Sequence, residues 1–384
     1  MSKSVVLKLF KFANINLYSD IIVNDSSFYA DLLQYKTLGF GESYMSGKID
    51  TSDLYNLTFK LQKLNTMKFT DYIRILNLVD YIYLIFYGFW KLYTIIIYKL
   101  INYNNILLSK KVAKIHYDLP NILYTQMLDS TMLYSCGYFE NTNDLHLAQL
   151  QKTDLIIQKL HLSTNDTVLE IGCGWGFIAY TIANKYPKCN VIGISISESQ
   201  IAYCNNKYNL PNLKFELKDY REIPKHSFNK IYSVGMFEHV GSKNYNDFFN
   251  ITYDLLKNDG IMLLHTICKS CQSSGNDPWL EKYIFPGGYL PSISEITKDI
   301  ENTKFDLSDI QEFGLYYSKT LDSWLHNFQK SYPELQKYDS TIFDSKFKRM
   351  WEFYLIMCKV AFDSKYCKLS QLVFTKNRDT VYHR

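Results

Sequence analysis

The sequence predicts an α/β fold, in which a smaller N-terminal domain precedes a mostly parallel sheet with an antiparallel edge strand. Short apolar runs alternate with helical segments from residue 167 onward, as is typical of a parallel sheet covered by helices. A glycine-rich turn directly follows the first run. A late run at 368–376 is predicted to pair with 309–317 at the edge of the sheet. The predicted parallel strands are 167–171, 191–196, 213–217, 230–235 and 261–267.

The most informative stretch is 168–176, which reads Val-Leu-Glu-Ile-Gly-Cys-Gly-Trp-Gly. Gly172, Gly174 and Gly176 lack a Cβ, so the backbone there can turn sharply and come close to a ligand. A helix is predicted from Phe177 to Lys185, and its free N-terminal amides face the same place. Strand, turn and helix together predict a site for a nucleotide-type cofactor.

The spacing of the glycines indicates which nucleotide is bound. Dinucleotide sites use Gly-x-Gly-x-x-Gly with an acidic residue about 20 positions further on. Here Phe177 takes the place of the third glycine, and the next strand ends in serine. The pattern Glu-x-Gly-x-Gly-x-Gly is instead the first motif of S-adenosylmethionine-dependent methyltransferases, which have a Rossmann-like sheet. A glycine-rich turn that binds nothing is the alternative.

The 384 residues are long enough for two domains. We predict an N-terminal domain that associates with lipid or membrane over 1–70, a hydrophobic helical connector over 71–112, and a catalytic domain over 113–384. Within the connector, residues 81–90 and 92–98 are uncharged, but Lys91 and Lys99 interrupt the apolar stretch. A helix lying on a membrane surface suits this pattern better than a helix that spans the bilayer. A helix packed on the protein's own core remains an equal alternative.

Charge and cysteine usage narrow the class of protein. A net charge of +4 argues against a dedicated nucleic-acid binder. The excess positive charge lies in residues 1–112, with 13 basic and 8 acidic side chains, as suits contact with anionic lipid or simply a solvated surface. Eight cysteines show no repeated Cys-x-x-Cys spacing, so no structural metal site is expected. Free thiols and no visible secretory signal favour the cytoplasm.

The chain resembles the cyclopropane-fatty-acyl-phospholipid synthases, and the resemblance covers nearly its whole length. The segments that carry it occur in family order. They are Leu-Gly-Phe-Gly-Glu-Ser-Tyr-Met-Ser-Gly at 38–47, His-Tyr-Asp-Leu at 116–119, Tyr-Ser-Cys-Gly-Tyr at 134–138, Ser-Val-Gly-Met-Phe-Glu-His-Val-Gly at 233–241, Lys-Asn-Tyr at 243–245, Leu-His-Thr-Ile at 264–267, Asp-Pro-Trp at 277–279 and Lys-Tyr-Ile-Phe-Pro-Gly at 282–287.

The resemblance implies a lipid-modifying enzyme of cytoplasmic, peripherally membrane-associated type. A methylene would pass from S-adenosylmethionine to a cis double bond of an unsaturated phospholipid acyl chain. The alkene attacks the methyl group, the sulfonium leaves, and a proton must then be lost for the cyclopropane ring to close. In the family the base is a bound bicarbonate. Its holders correspond here to Cys136, Glu238, His265, the backbone of Ile267, and Tyr317.

Each of these residues also has a plainer explanation in the sequence alone. Glu238 and His239 are adjacent, so on a strand only one of them would face the site, and we choose Glu238. His265 could be a satisfied core histidine, and Cys136 a small buried apolar residue. Cys358 matches a cysteine discussed as catalytic in the family, and on a predicted helix at 346–362 it would line the acyl tunnel.

The resemblance also implies the residues that hold the cofactor. Glu170, Gly172 and Gly174 would meet its methionine and ribose portion, with Gly176 completing the turn. Tyr134 and Ser135 would close over the cofactor, and Asp219 would face the adenine. Ser195, Ser197 and Gln200 stand where other methyltransferases have an acidic strand end.

Two other functions stay open. One is a methyltransferase of the same fold that acts on fatty acids or small-molecule amines, although an amine enzyme has no use for a bicarbonate base. The other is an inactive lipid-binding protein, which an intact glycine turn and an intact set of base-site residues disfavour. The sequence leaves a homodimer open.

Overall fold

The computed structural model describes residues 2–67, 69–76, 80, 119–270, 275–376 and 382–383. The chain forms two compact units, each built from separate stretches of sequence. The first comprises Met1–Asn102, Ser274–Phe285 and Trp324–Ser364, and the second Tyr103–Ser273, Pro286–Ser323 and Lys365–Arg384. The predicted boundaries at 70 and 112 stay a prediction, because the connector lies mostly outside the described residues. No helix in the described part of the chain is long and apolar enough to cross a bilayer.

Helices and strands are numbered in chain order within the described residues. The helices are α1 (Ser2–Phe12), α2 (Phe28–Tyr35), α3 (Thr37–Met45), α4 (Leu54–Gln62), α5 (Phe69–Ile75), α6 (Asn121–Met127), α7 (Leu145–Leu160), α8 (Phe177–Lys185), α9 (Glu198–Lys207), α10 (Tyr245–Leu255), α11 (Pro278–Tyr283), α12 (Ile293–Glu301), α13 (Leu315–Tyr338) and α14 (Ser345–Asp363). The strands are β1 (Ile22–Val23), β2 (Ile49–Asp50), β3 (Thr167–Ile171), β4 (Asn190–Ser195), β5 (Leu213–Leu217), β6 (Phe228–Val234), β7 (Leu256–Lys269), β8 (Asp306–Glu312) and β9 (Cys367–Thr375).

The first unit joins the N-terminal helices to segments from late in the chain. β1 and β2 form a small antiparallel pair, and α14 packs against α3 and α4. The Phe353 ring on α14 lies 4.7 Å from Trp279 and 5.6 Å from Phe40. Arg349 donates to the carbonyl of Ile49 at 2.9 Å and pairs with Asp50. The aromatic core of this unit therefore depends on residues far apart in sequence.

The second unit contains the predicted sheet. Seven strands of the described chain lie in the order β5-β4-β3-β6-β7-β9-β8. The strands from β5 to β7 are parallel, and β9 runs antiparallel to both β7 and β8. This confirms the predicted α/β class with an antiparallel edge. β3 lies between two parallel neighbours and is buried on both faces, which explains why Val168, Leu169 and Ile171 are apolar.

One predicted element is wrong in its second half. The stretch 309–317 was expected to be a single strand, but β8 ends at Glu312 and α13 begins at Leu315. Gly314 separates them, and a Cβ there would lie 2.9 Å from the Leu369 backbone nitrogen. The chain thus passes too close to β9 for a side chain, turns, and continues as a helix. Tyr317 consequently lies on the first turn of α13.

Candidate active site

A cavity of about 170 Å³ lies at the carboxyl ends of β3, β4 and β6. Ligands of open α/β sheets bind at this edge, because the loops that follow parallel strands meet there. The wall of the cavity contains eight of the residues predicted to hold the cofactor. These are Tyr134, Ser135, Glu170, Gly172, Gly174, Ser195, Gln200 and Asp219.

The three glycines of the turn serve different purposes, although all have positive φ. A Cβ on Gly174 would meet no atom within 4 Å, so this backbone borders open space in the cavity. A Cβ on Gly172 would approach the Met236 side chain to 2.7 Å. At Gly176 it would lie 2.6 Å from Phe215, and Gly176 is not part of the cavity wall. Gly176 therefore allows α8 to pack closely on the sheet.

The serine-rich segment at the end of β4 also contains residues with different roles. The Ser195 hydroxyl donates to Gln200 Oε1 at 3.0 Å, and both residues border the cavity. Ser197 instead caps α9, where its Oγ accepts from the Gln200 backbone N–H at 3.4 Å. Ser197 thus positions Gln200 and is not among the residues of the wall.

Several residues of the wall were missed from the sequence. Arg221 grips both carboxylate oxygens of Asp219, with its Nε 2.8 Å from Oδ1 and an Nη 2.6 Å from Oδ2. Trp175 packs 4.8 Å from the Tyr124 ring, which in turn lies 5.5 Å from Tyr134. Two features of the sequence could have pointed to these residues. Arg221 lies two positions after the acidic residue that follows β5, and Trp175 lies between two glycines of the motif.

Glu238 lies beside this cavity and is held by the end of β7. Its Oε1 accepts a hydrogen bond from the Ile267 backbone N–H at 2.7 Å. Its Oε2 is buried and has no hydrogen-bond partner within the described chain. Burial raises the pKa of this carboxyl to about 7, so its proton is readily exchanged near neutral pH. The backbone of Ile267, predicted to hold bicarbonate, donates its N–H to Glu238 in this structure, and its contact with bicarbonate stays a prediction.

Glu238 and His239 lie on a short 3-10 turn, Phe237–His239, and not on a strand. The expectation that the two residues lie on a strand is therefore wrong, and the choice of Glu238 as the catalytic residue stays a prediction. His239 borders the cofactor cavity, while Glu238 reaches β7. Burial lowers the pKa of His239 to about 4, which keeps its ring neutral at physiological pH.

His265 is buried on β7, two residues from Ile267 and on the same face of the strand. Its Nδ1 lies 3.2 Å from the amide nitrogen of Gln371 on β9. An amide NH₂ can only donate, so Nδ1 accepts and the ring proton lies on Nε2. Burial lowers the pKa of His265 well below its usual value. Nε2 is buried without a partner among the described residues, so the ring offers a free donor.

Cys136 and Tyr317 join the same group. The buried Cys136 packs with Phe313 and Leu369, and Ile267 and Tyr317 pack against this cluster. The His265 ring lies 5.7 Å from Phe313. Burial raises the pKa of the Cys136 thiol to about 12, so it stays neutral. Five of the six predicted catalytic residues thus lie together, and Cys136 directly follows Ser135 of the cavity wall.

Cys358, the sixth residue, belongs to the other compact unit. It lies on α14, which confirms the predicted helix, and its side chain is partly exposed. Its proposed place in an acyl tunnel stays a prediction.

Glu170 gives a stability test of the cofactor cavity. It is buried at the end of β3, and burial raises the pKa of its carboxyl from 4.5 to about 8. Between these pH values the unfolded chain ionises Glu170 while the folded chain keeps it protonated, so the folded state loses stability as pH rises. We expect the ligand-free Glu170→Gln variant to be more stable than wild type, by a margin that grows as the pH rises through this range. At pH 8 the margin should be on the order of 3–5 kcal/mol in the free energy of unfolding. Urea unfolding at pH 5 and pH 8 measures the difference. A difference that does not change with pH contradicts the buried, protonated carboxyl.

Comparison with known proteins identifies the family. Residues 108–372 match the family model described as mycolic acid cyclopropane synthetase. The chain belongs to this family. It is 36% identical over 367 residues to the cyclopropane-fatty-acyl-phospholipid synthase of Escherichia coli K12, covering 93% of this chain and 88% of the relative. It is 33% identical over 279 residues to a "Probable fatty acid methyltransferase" of Pseudomonas putida, covering 70% of each.

Solved structures agree with this assignment to the cyclopropane synthetase family. The mycolic acid cyclopropane synthase CmaA1, complexed with SAH and CTAB, matches at a TM-score of 0.63 with 31% identity. That match covers 70% of this chain and 98% of the solved one. The chain is therefore an S-adenosylmethionine-dependent methyltransferase of the cyclopropane synthase type, as its motifs predicted.

Proposed function

We propose that this enzyme adds a methylene from S-adenosylmethionine across a cis double bond of an unsaturated phospholipid acyl chain, with bicarbonate as the base. The name of the Escherichia coli relative supports the substrate class. The observation that carries the base is the pair of buried atoms Glu238 Oε2 and His265 Nε2, which have no partner in the described chain. Buried polar atoms are seldom left unpaired. Glu238 is bonded to Ile267, which lies on the same face of β7 as His265, so we place one small oxyanion between the two side chains.

The residues around this pair have the donor and acceptor chemistry that such an anion needs. A bound bicarbonate would supply the base for the proton that is lost on ring closure. His265 would donate from Nε2, while Glu238 would accept from the anion's own hydroxyl or return a proton to it. Cys136 and Tyr317 add a neutral thiol and a phenol to the group. The Ile267 N–H fixes the Glu238 carboxyl, so the anion would be held in one orientation.

The surrounding packing suits a reaction that passes through a cation. Phe313, Leu369 and Ile267 exclude water from the group, and a dry pocket makes a bound anion a stronger base than it is in water. His265 and Cys136 are both uncharged, so neither repels the positive charge that develops on the acyl chain.

Contact with the lipid at a membrane surface is part of this proposal. The excess of basic residues in 1–112 supports it, and α1 presents Lys3 and Lys11 on the same side as Lys8, which pairs with Asp80. Attraction between such lysines and anionic headgroups weakens as salt is added. Transfer of a methyl group to a fatty acid is the second candidate, because the Pseudomonas putida relative carries that name.

Product analysis tests the proposal directly. Expression in cells rich in unsaturated phospholipid should add one CH₂ to their monounsaturated acyl chains and remove the double bond. Mass spectrometry of total fatty acids detects the gain, and NMR distinguishes a cyclopropane ring from a methyl branch. Cells that express Glu238→Gln at equal level are the matched control. A methyl-branched product would instead establish the second candidate.

A further inference from the structure

Lys152 is a fully buried lysine on α7 that the proposed chemistry does not use. Its Nζ donates to the Ser135 Oγ at 2.7 Å. Burying an ammonium group is costly unless hydrogen bonds compensate it, so an unselected position seldom carries one. Gln149, one turn earlier on the same helix, donates to the Ser135 carbonyl at 2.9 Å. α7 therefore holds both the backbone and the side chain of Ser135.

The contact with Lys152 determines whether the Ser135 hydroxyl donates or accepts. In its ammonium form Lys152 has three N–H donors and no acceptor, so the serine hydroxyl then accepts from it. Its own hydrogen is then directed away from Lys152. Ser135 borders the cofactor cavity, so this hydrogen is available to a ligand there.

The charges of Asp129, Cys136 and Glu170 act on Lys152, and each would favour its ammonium form. Burial raises the pKa of Glu170 to about 8 and that of Cys136 to about 12, so both are largely neutral at physiological pH. Burial also lowers the pKa of Lys152 itself to about 7. An anionic ligand at Ser135 would favour the ammonium form of Lys152, since an opposite charge raises the pKa of a buried lysine.

The position of Ser135 indicates which part of the cofactor it meets. Under the proposed function the next residue, Cys136, belongs to the group that faces the reacting lipid. Ser135 lies near Gly235 at the end of β6, whereas Asp219 follows β5, three strands away in the sheet. The sulfonium must face the reacting lipid, so the methionine portion lies near Ser135 and the adenine lies toward Asp219. The methionine carboxylate accepts hydrogen bonds and donates none.

We propose that Lys152 is a positioning residue that holds the Ser135 hydroxyl as a hydrogen-bond donor to the methionine carboxylate of the bound cofactor. The inference rests on the proposed function, because the orientation of the cofactor is argued from the residues proposed to hold bicarbonate, but its test measures cofactor binding alone.

A comparison of two ligands tests it without turnover. S-adenosylhomocysteine carries the carboxylate, whereas 5′-methylthioadenosine keeps the adenine and ribose but lacks the amino-acid end. Lys152→Met should bind S-adenosylhomocysteine about tenfold more weakly by calorimetry, the scale of one charge-assisted hydrogen bond. Its affinity for 5′-methylthioadenosine should not change. Equal losses for both ligands, or unchanged binding of S-adenosylhomocysteine, overturn the proposal.

Further variants test whether Lys152 affects cofactor binding through the Ser135 hydroxyl. Ser135→Ala should show the same loss, and the double variant should be no weaker than Ser135→Ala alone; additive losses overturn the proposal. Lys159→Met is the matched control, because Lys159 is also fully buried on α7 but pairs with Asp309 at 3.5 Å. It should bind both ligands as wild type does. If Lys152→Met does not fold, Ser135→Ala decides, and wild-type binding in that variant overturns the proposal.

Discussion

Glu238→Gln should turn over unsaturated phospholipid about 10²-fold more slowly than wild type or worse, the usual scale for losing a positioned acid–base group. Glutamine keeps the carbonyl that accepts from the Ile267 N–H, so the turn at Phe237–His239 should stay in place. The amide NH₂ replaces Oε2, and it can neither accept from bicarbonate nor transfer a proton. Turnover on vesicles, with bicarbonate removed and then added back, measures the effect.

Bicarbonate should separate this effect from simple damage. Added bicarbonate should stimulate the wild type and rescue Glu238→Gln only in part, since the variant would lack the group that orients the anion. Affinity for S-adenosylhomocysteine should be unchanged, because the cavity wall does not include Glu238. Full activity of Glu238→Gln in bicarbonate-depleted vesicles would remove the proposed base and favour plain methyl transfer.

Gly174→Val should abolish measurable binding of S-adenosylmethionine. A Cβ at Gly174 points into space that no protein atom occupies within 4 Å, and a branched side chain would fill that space in place of the ligand. The position also has φ +53, where valine is strained. Isothermal calorimetry on the purified variant measures the loss, and circular dichroism checks the fold.

Gly47→Val controls for the strain. Gly47 has φ +76, and a Cβ there would likewise meet nothing within 4 Å. It lies in the first compact unit, outside the cavity wall. This variant should bear a similar backbone cost and bind the cofactor as wild type does. Unchanged binding in a folded Gly174→Val variant would exclude the glycine turn as the cofactor site.

Much of the sheet could be predicted because parallel strands buried on both faces are apolar and short. β3 and β5 have the predicted bounds, and β4 differs by one residue at each end. The residues after β8 were assigned to a strand because aromatic side chains such as Phe313, Tyr316 and Tyr317 occur both in strands and in the first turn of a buried helix. Only the close approach of Gly314 to β9 ends the strand, and that contact is tertiary.

Site residues that belong to a sequence motif could be predicted. Site residues whose role depends on how the folded chain packs around them could not. The glycine turn and Glu238 stand in recognisable patterns. Lys152 does not, because a lysine on an amphipathic helix ordinarily lies in solvent. The distinction between Gly174, which borders the ligand space, and Gly176, which lets Phe215 approach, also requires the folded neighbours.

The register between β7 and β9 has a chemical role. His265 lies opposite Gln371 in this pair, and the Gln371 amide decides which ring nitrogen carries the proton. Since successive side chains on a strand face opposite sides, a shift of β9 by one residue would turn Gln371 away from the ring. Such a shift would leave every site side chain in the sequence and still misplace the proton.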